Sequence, residues 1–172
     1  MYKRVLVPLD GSELAESVLP LLTEIAGPLD MTMVLVRVLE PIPPMAVEST
    51  GPIVVDDLDT RRRDAAEYLA PIAIGLRARG IETTWTVRVG RAEEEIIAAA
   101  RTARADLIAM STHGRSGLGR LLFGSVAEQV LRHADVPVFL MRDSRRRSMT
   151  PAAKETSRSD RSWPVKAGKE GR

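Results

Sequence analysis

Five short apolar runs alternate along this chain with longer stretches in which apolar residues recur at helical spacing. Residues 4–8, 31–38, 82–89, 106–110 and 136–141 read as strands. The first intervening stretch predicts a helix capped by Ser12, with Leu14, Val18, Leu21, Leu22 and Ile25 on one face and a kink at Pro20. A second, over residues 60–79, turns Ala65, Leu69, Ile72 and Leu76 inward and stops before Gly80. The third follows Gly90 and places Ala92, Ile96, Ile97 and Ala100 inward, with Glu93, Glu94 and Glu95 in a first turn whose dipole favours anions. The fourth is expected to open at Ser125 as N-cap, with Glu128 three residues later as a capping box, and to bury Val126, Val130 and Leu131.

Strands that alternate with helices imply βαβ units and a parallel sheet. Residues 81–89 alternate apolar and polar, as a half-exposed edge strand does, whereas the first, second and fourth runs are apolar on both faces. Right-handed crossovers then give an open five-stranded parallel α/β sheet of order 3-2-1-4-5 with helices on both faces. The fifth strand is the other edge, where Pro137 is tolerated. Residues 41–58 hold Pro41, Pro43, Pro44, Gly51 and Pro52 and read as a long connection, a mobile flap or a partly disordered segment.

Charge divides the chain in two. Residues 1–142 carry 16 Lys and Arg against 19 Asp and Glu, net −3, while residues 143–172 carry 9 against 4, net +5. The expected organisation is one domain over 1–142 followed by a basic, disordered tail over 143–172. An acidic domain with only 3% aromatic residues argues against nucleic-acid binding. The tail run Arg145-Arg146-Arg147 is read as solvated. The absence of cysteine excludes disulfides and thiolate metal sites. With no leader-like or membrane-spanning run, the expected location is the cytoplasm.

In a sheet of this order the winding reverses between strands one and four, and ligands bind at the carboxyl ends of those strands. The segments that follow them are Pro8-Leu9-Asp10-Gly11-Ser12 and residues 111–125, the latter with Gly114, Gly117, Gly119 and Gly124 interspersed with His113, Arg115 and Arg120. Glycines let backbone N–H groups approach anions, and a helix amino terminus adds free donors. Gly114 to Gly119 has the spacing of a Walker loop, but Arg120 and Leu121 stand where that loop needs Lys and Ser or Thr. No nucleophile–base arrangement, metal-ligand spacing or carboxylate pair is visible, so the residues give little support to catalysis.

Residues 7–12 (Val-Pro-Leu-Asp-Gly-Ser), the segment from Asp106 to Arg115 and the Gly124-Ser125-Val126-Ala127-Glu128 helix opening resemble the universal stress protein family, over about residues 1–142. In its ATP-binding branch the signature is Gly, two residues, Gly, nine residues, Gly and Ser or Thr. Gly114, Gly124 and Ser125 match it here, and Ser111 replaces the first glycine. The resemblance implies an adenine nucleotide alpha hydrolase-like, Rossmann-like fold and a dimeric, ATP-binding regulatory protein of the stress response, any Mg2+ being carried by the nucleotide. It implies that Pro8, Asp10 and Val38 frame the adenosine, that Met110 and Ser111 lie near the ribose, and that Gly114, Arg115, Gly124, Ser125 and Val126 hold the phosphates. A turn-forming role for Asp10 remains open beside this. So do a non-nucleotide interaction module of the same fold and a slow ATPase. The apolar edge run at 136–141 is the expected homodimer contact.

Overall fold

The computed structural model describes residues 2–41, 54–113 and 124–143. In chain order the elements are β1 (Arg4–Pro8), α1 (Glu13–Glu16), α2 (Val18–Ala26), β2 (Thr32–Leu39), α3 (Val54–Ala78), β3 (Thr83–Val89), α4 (Ala92–Ala103), β4 (Leu107–His113), α5 (Ser125–His133) and β5 (Val138–Asp143). The strands form one five-stranded sheet of order β3-β2-β1-β4-β5, every neighbouring pair parallel.

Alternation along the strands decides the two layers. Val5 and Val7 of β1, with Met33 and Leu35 of β2, face α2 and α3 and pack on Val18, Leu22, Leu69 and Leu76. Leu6, Val34, Val36 and Ile108 point the other way, onto Ile96, Ala100, Ala127 and Val130 of α4 and α5. The crossovers from β1 through β3 therefore run on one face and those from β3 through β5 on the other. Winding reverses between β1 and β4, which pair at Val5–Leu107 and Leu6–Ile108 and part towards their carboxyl ends.

Several boundaries depart from the sequence reading. The first helix is divided at Ser17 rather than kinked at Pro20. Proline has no N–H to give the carbonyl of Glu16 and its ring crowds it, so α1 ends there and Pro20 falls in the first turn of α2. The inward face of α2 is Val18, Leu22 and Ala26, while Ile25 is exposed. Helix α3 starts at Val54 and takes in the end of the expected connection, its buried stripe being Ala65, Leu69, Ala73 and Leu76. Residues 42–53 of that connection, like the tail beyond 143, lie outside the described residues.

In α5 the N-cap is Gly124 and Ser125 is the first helical residue; no side chain caps it, so the expected capping box is not formed. Val130 is buried as expected and Val126 partly so, but Leu131 is exposed and Ala127 is buried in its place. Strand β4 continues through Ser111, Thr112 and His113 because β5 pairs with it there, Ser111 opposite Met141 and His113 opposite Asp143. β5 accordingly begins two residues later than expected, and Pro137 precedes it, its carbonyl accepting from Ile108 N at 3.0 Å.

Candidate functional site

At the reversal point an open crevice of about 250 Å³ lies over the carboxyl ends of β2, β1 and β4. Its floor is Pro8, Val38, Met110 and Ser111, one wall is the segment Leu9–Ala15, and the other is formed by Ala92 and Ile96 of α4 with the start of α5. Pro8, Asp10, Val38, Met110, Ser111, Gly124, Ser125 and Val126 all line it. Gly114 and Arg115 lie outside the described residues, so their place relative to the crevice is not defined. Sequence reasoning overlooked Val36 and Ile96, which add apolar wall. Val36 is two residues from Val38 on the same strand, so the period-2 pattern offered a signal for it.

The loop after β1 is built by local hydrogen bonds. Asp10 Oδ1 accepts from Ser12 N at 2.9 Å, an Asx turn. Ser12 Oγ accepts from Ala15 N at 3.1 Å and so caps α1. Gly11 between them has φ +88°, a left-handed conformation that disfavours a side chain, and an added Cβ would come 3.4 Å from the Arg37 guanidinium. Arg37 in turn lies over the Tyr68 ring, 4.9 Å from its centroid. Tyr68 OH donates to Glu16 Oε1 at 2.8 Å, which ties α3 to α1 behind the crevice wall. Burial, and then that hydrogen bond, push the Tyr68 phenol above the ordinary tyrosine range.

The opposite wall ends in backbone donors. The first helical bond of α5 runs from Glu128 N to Gly124 O at 2.9 Å, so the helix offers no acceptor to the N–H groups of Ser125, Val126 and Ala127, and all three residues line the crevice. Gly124 has φ −64° and ψ 154°, which any residue can adopt, and a Cβ there meets nothing within 4 Å among the described residues. Its lack of a side chain leaves space in front of these donors. Among the described lining residues Asp10 is the one charged side chain. No group of three or more His, Cys, Asp or Glu suited to a metal ion occurs among the described residues. The chemistry on offer is therefore an apolar slot, one carboxylate, hydroxyls and a positively polarised helix end.

A family model described as the universal stress protein family matches residues 1–142. A universal stress protein from Thermus aquaticus is 30% identical over 142 residues, which cover 83% of this chain and all of that protein. The solved structure of MJ0577, a universal stress protein of Methanocaldococcus jannaschii, superposes with a TM-score of 0.68 at 28% identity, covering 83% of this chain and 97% of that one. Two solved relatives at 21% identity share the fold. One is a universal stress protein in complex with cAMP, TM-score 0.56, covering 83% of this chain and 98% of its own. The other is the Archaeoglobus fulgidus universal stress protein in complex with dAMP, TM-score 0.52, covering 81% and 97%.

Proposed function

Since the chain belongs to the universal stress protein family, we propose that its crevice binds an adenine nucleotide, ATP foremost, and that the protein is a regulatory module of the stress response whose associations follow nucleotide occupancy. The observation that carries this reading is the trio of N–H groups at Ser125, Val126 and Ala127, which have no acceptor among the described residues and belong to residues lining a largely apolar slot. Pro8, Asp10 and Val38 frame the adenosine, and Met110 with Ser111 meets the sugar. Gly124, Ser125 and Val126 hold the phosphates together with Gly114 and Arg115. Relatives solved with cAMP and dAMP lend support, since adenine, sugar and a single phosphate are common to both ligands. A magnesium ion fits this scheme as part of the nucleotide, because the described crevice lining supplies one carboxylate and the described residues hold no metal-binding cluster. Denaturing the purified protein and chromatographing the supernatant is expected to release adenine nucleotide, and calorimetry on the stripped protein to show saturable ATP binding. Absence of both would favour an interaction module that takes no nucleotide.

The reading includes a location and an assembly. No helix among the described residues is long and apolar enough to cross a membrane, and a cytoplasmic site of action suits a ligand of this kind. Among the described residues strand β5 pairs with β4 alone, and its run Val138-Phe139-Leu140-Met141 is half-buried at the sheet edge. An apolar edge with unpaired backbone invites a second copy, and a two-fold dimer closes it. Light scattering at micromolar concentration is expected to give a dimer mass, and Val138→Lys, which puts a charge on that edge, a monomer mass. A parent of monomer mass, or an unchanged variant, removes the dimer.

Residues 1–142 form the working domain in this proposal, and 143–172 a separate basic tail. Deleting residues 148–172 should leave Tm and ATP affinity nearly unchanged, because this stretch has too little apolar surface to offset the entropy of ordering it. A large fall in Tm on truncation would show that it packs on the domain.

A further inference from the structure

The Leu14 carbonyl, in the wall of the crevice, takes three donors at once. Ser17 Oγ donates at 2.6 Å and Ser17 N at 3.1 Å, and the Ser111 hydroxyl donates as well. A carbonyl oxygen has two lone pairs, so one of the three can leave without orphaning it. The two Ser17 bonds close a single helical turn, and Ser17 is buried away from the crevice. Ser111 reaches Leu14 from 97 residues away, is half-buried and lines the crevice. Of the three donors, Ser111 is the one that a ligand can recruit, by a rotamer change of one short side chain.

We infer that the Ser111 hydroxyl is a movable donor that turns from the Leu14 carbonyl to a sugar hydroxyl of the bound nucleotide, so that the crevice discriminates a ribonucleotide from a deoxy counterpart. This rests on the nucleotide reading and gives that same site a specificity determinant. The sheet order supports the choice of sugar. Val38 of β2 and Asp10 after β1 stand on one side of β4, and α5, which crosses from β4 to β5, opens on the other. A ligand with its base on the first side and its phosphates on the second carries its sugar across Ser111. A glycine at this position would offer no side-chain donor, so the hydroxyl is a property of this chain rather than of the ATP-binding signature.

Calorimetric titration of the full chain with ATP, 2′-deoxy-ATP and 3′-deoxy-ATP tests this. The parent is expected to bind ATP about 3–10-fold more tightly than one of the two deoxy compounds, the worth of one neutral hydrogen bond. Ser111→Ala should lose that preference, its ATP affinity falling to the deoxy value while affinity for that deoxy compound holds. Its unliganded Tm should stay near the parent's, because Leu14 keeps both Ser17 donors. Ser17→Ala, outside the crevice, should weaken ATP by a smaller factor, because the carbonyl then depends more on Ser111. A Ser111→Ala variant that weakens all three ligands equally, or whose Tm falls sharply, would make Ser111 a structural tether and overturn the inference. A parent that binds all three alike overturns this inference alone, whereas a parent that binds none overturns the nucleotide reading with it.

Discussion

Replacing Ser125 by Asp is expected to cut ATP affinity on the order of 100-fold while leaving the fold intact. Ser125 is the first residue of α5 and lines the crevice. If the phosphates lie at this helix end as proposed, a carboxylate there stands roughly 5 Å from them, and at an effective dielectric of about 20 the repulsion is about 3 kcal/mol per charge pair, or two decades in Kd. The fold tolerates the change for a reason that the structure revised. Ser125 is not the N-cap, so no cap is lost, and an acidic residue in the first turn interacts favourably with the helix dipole. Adenosine, which has no phosphate, should bind parent and variant alike. Gly124→Val gives an independent steric arm, since its backbone angles suit valine and only the space in front of the donors is filled. Calorimetry with ATP and adenosine, beside thermal melts, decides the matter. Equal ATP affinity for parent and Ser125→Asp would remove the phosphate role from α5.

The largest loss of stability is expected from Leu69→Ala. Leu69 is fully buried where α3 meets the sheet, against β1 and β2 core residues such as Val7 and Leu35. Truncating it leaves a cavity between two rigid layers and should cost about 2–5 kcal/mol. For a domain of this size that is a fall in Tm of roughly 5–20 °C. Ile74, five residues on along the same helix, is 62% exposed, and Ile74→Ala should stay within about 0.5 kcal/mol. The pair tests the helix register, since both replace a four-carbon aliphatic side chain by a methyl group on one element. Leu69 also adjoins Tyr68, whose bond to Glu16 braces α1. Some loss of nucleotide affinity is therefore expected in Leu69→Ala even at temperatures where it is folded. Melts of similar midpoint for the two variants would show that α3 docks by another face.

Much of the candidate site was legible because its parts are local. Asp10 and Ser12 make their bonds within three residues, and Pro8, Val38 and Met110 sit on strand runs whose sheet order follows from handedness and from which runs are apolar on both faces. Less legible were residues whose role comes from a distant element. Ile96 enters the crevice because α4 crosses the second face of the sheet, and the Arg37–Tyr68 stack joins β2 to α3. No periodicity within β2 announces that partner.

The sequence by itself determined the element types, the inward faces of α3 and α4, the strand order and the point where winding reverses. Each of these is recorded in repeating apolar positions, which report the average burial of a face. The tertiary structure alone decided where elements begin and end. β4 runs on to His113 because β5 supplies its hydrogen-bond partners, α2 separates from α1 where Pro20 withholds a donor from Glu16, and α5 begins with Gly124 as its cap. It also decided that Ile25 and Leu131 face solvent and that Ser111 meets Leu14. Such details depend on competition for individual backbone donors and acceptors among segments far apart in the chain, and that competition is settled only when the layers are packed together.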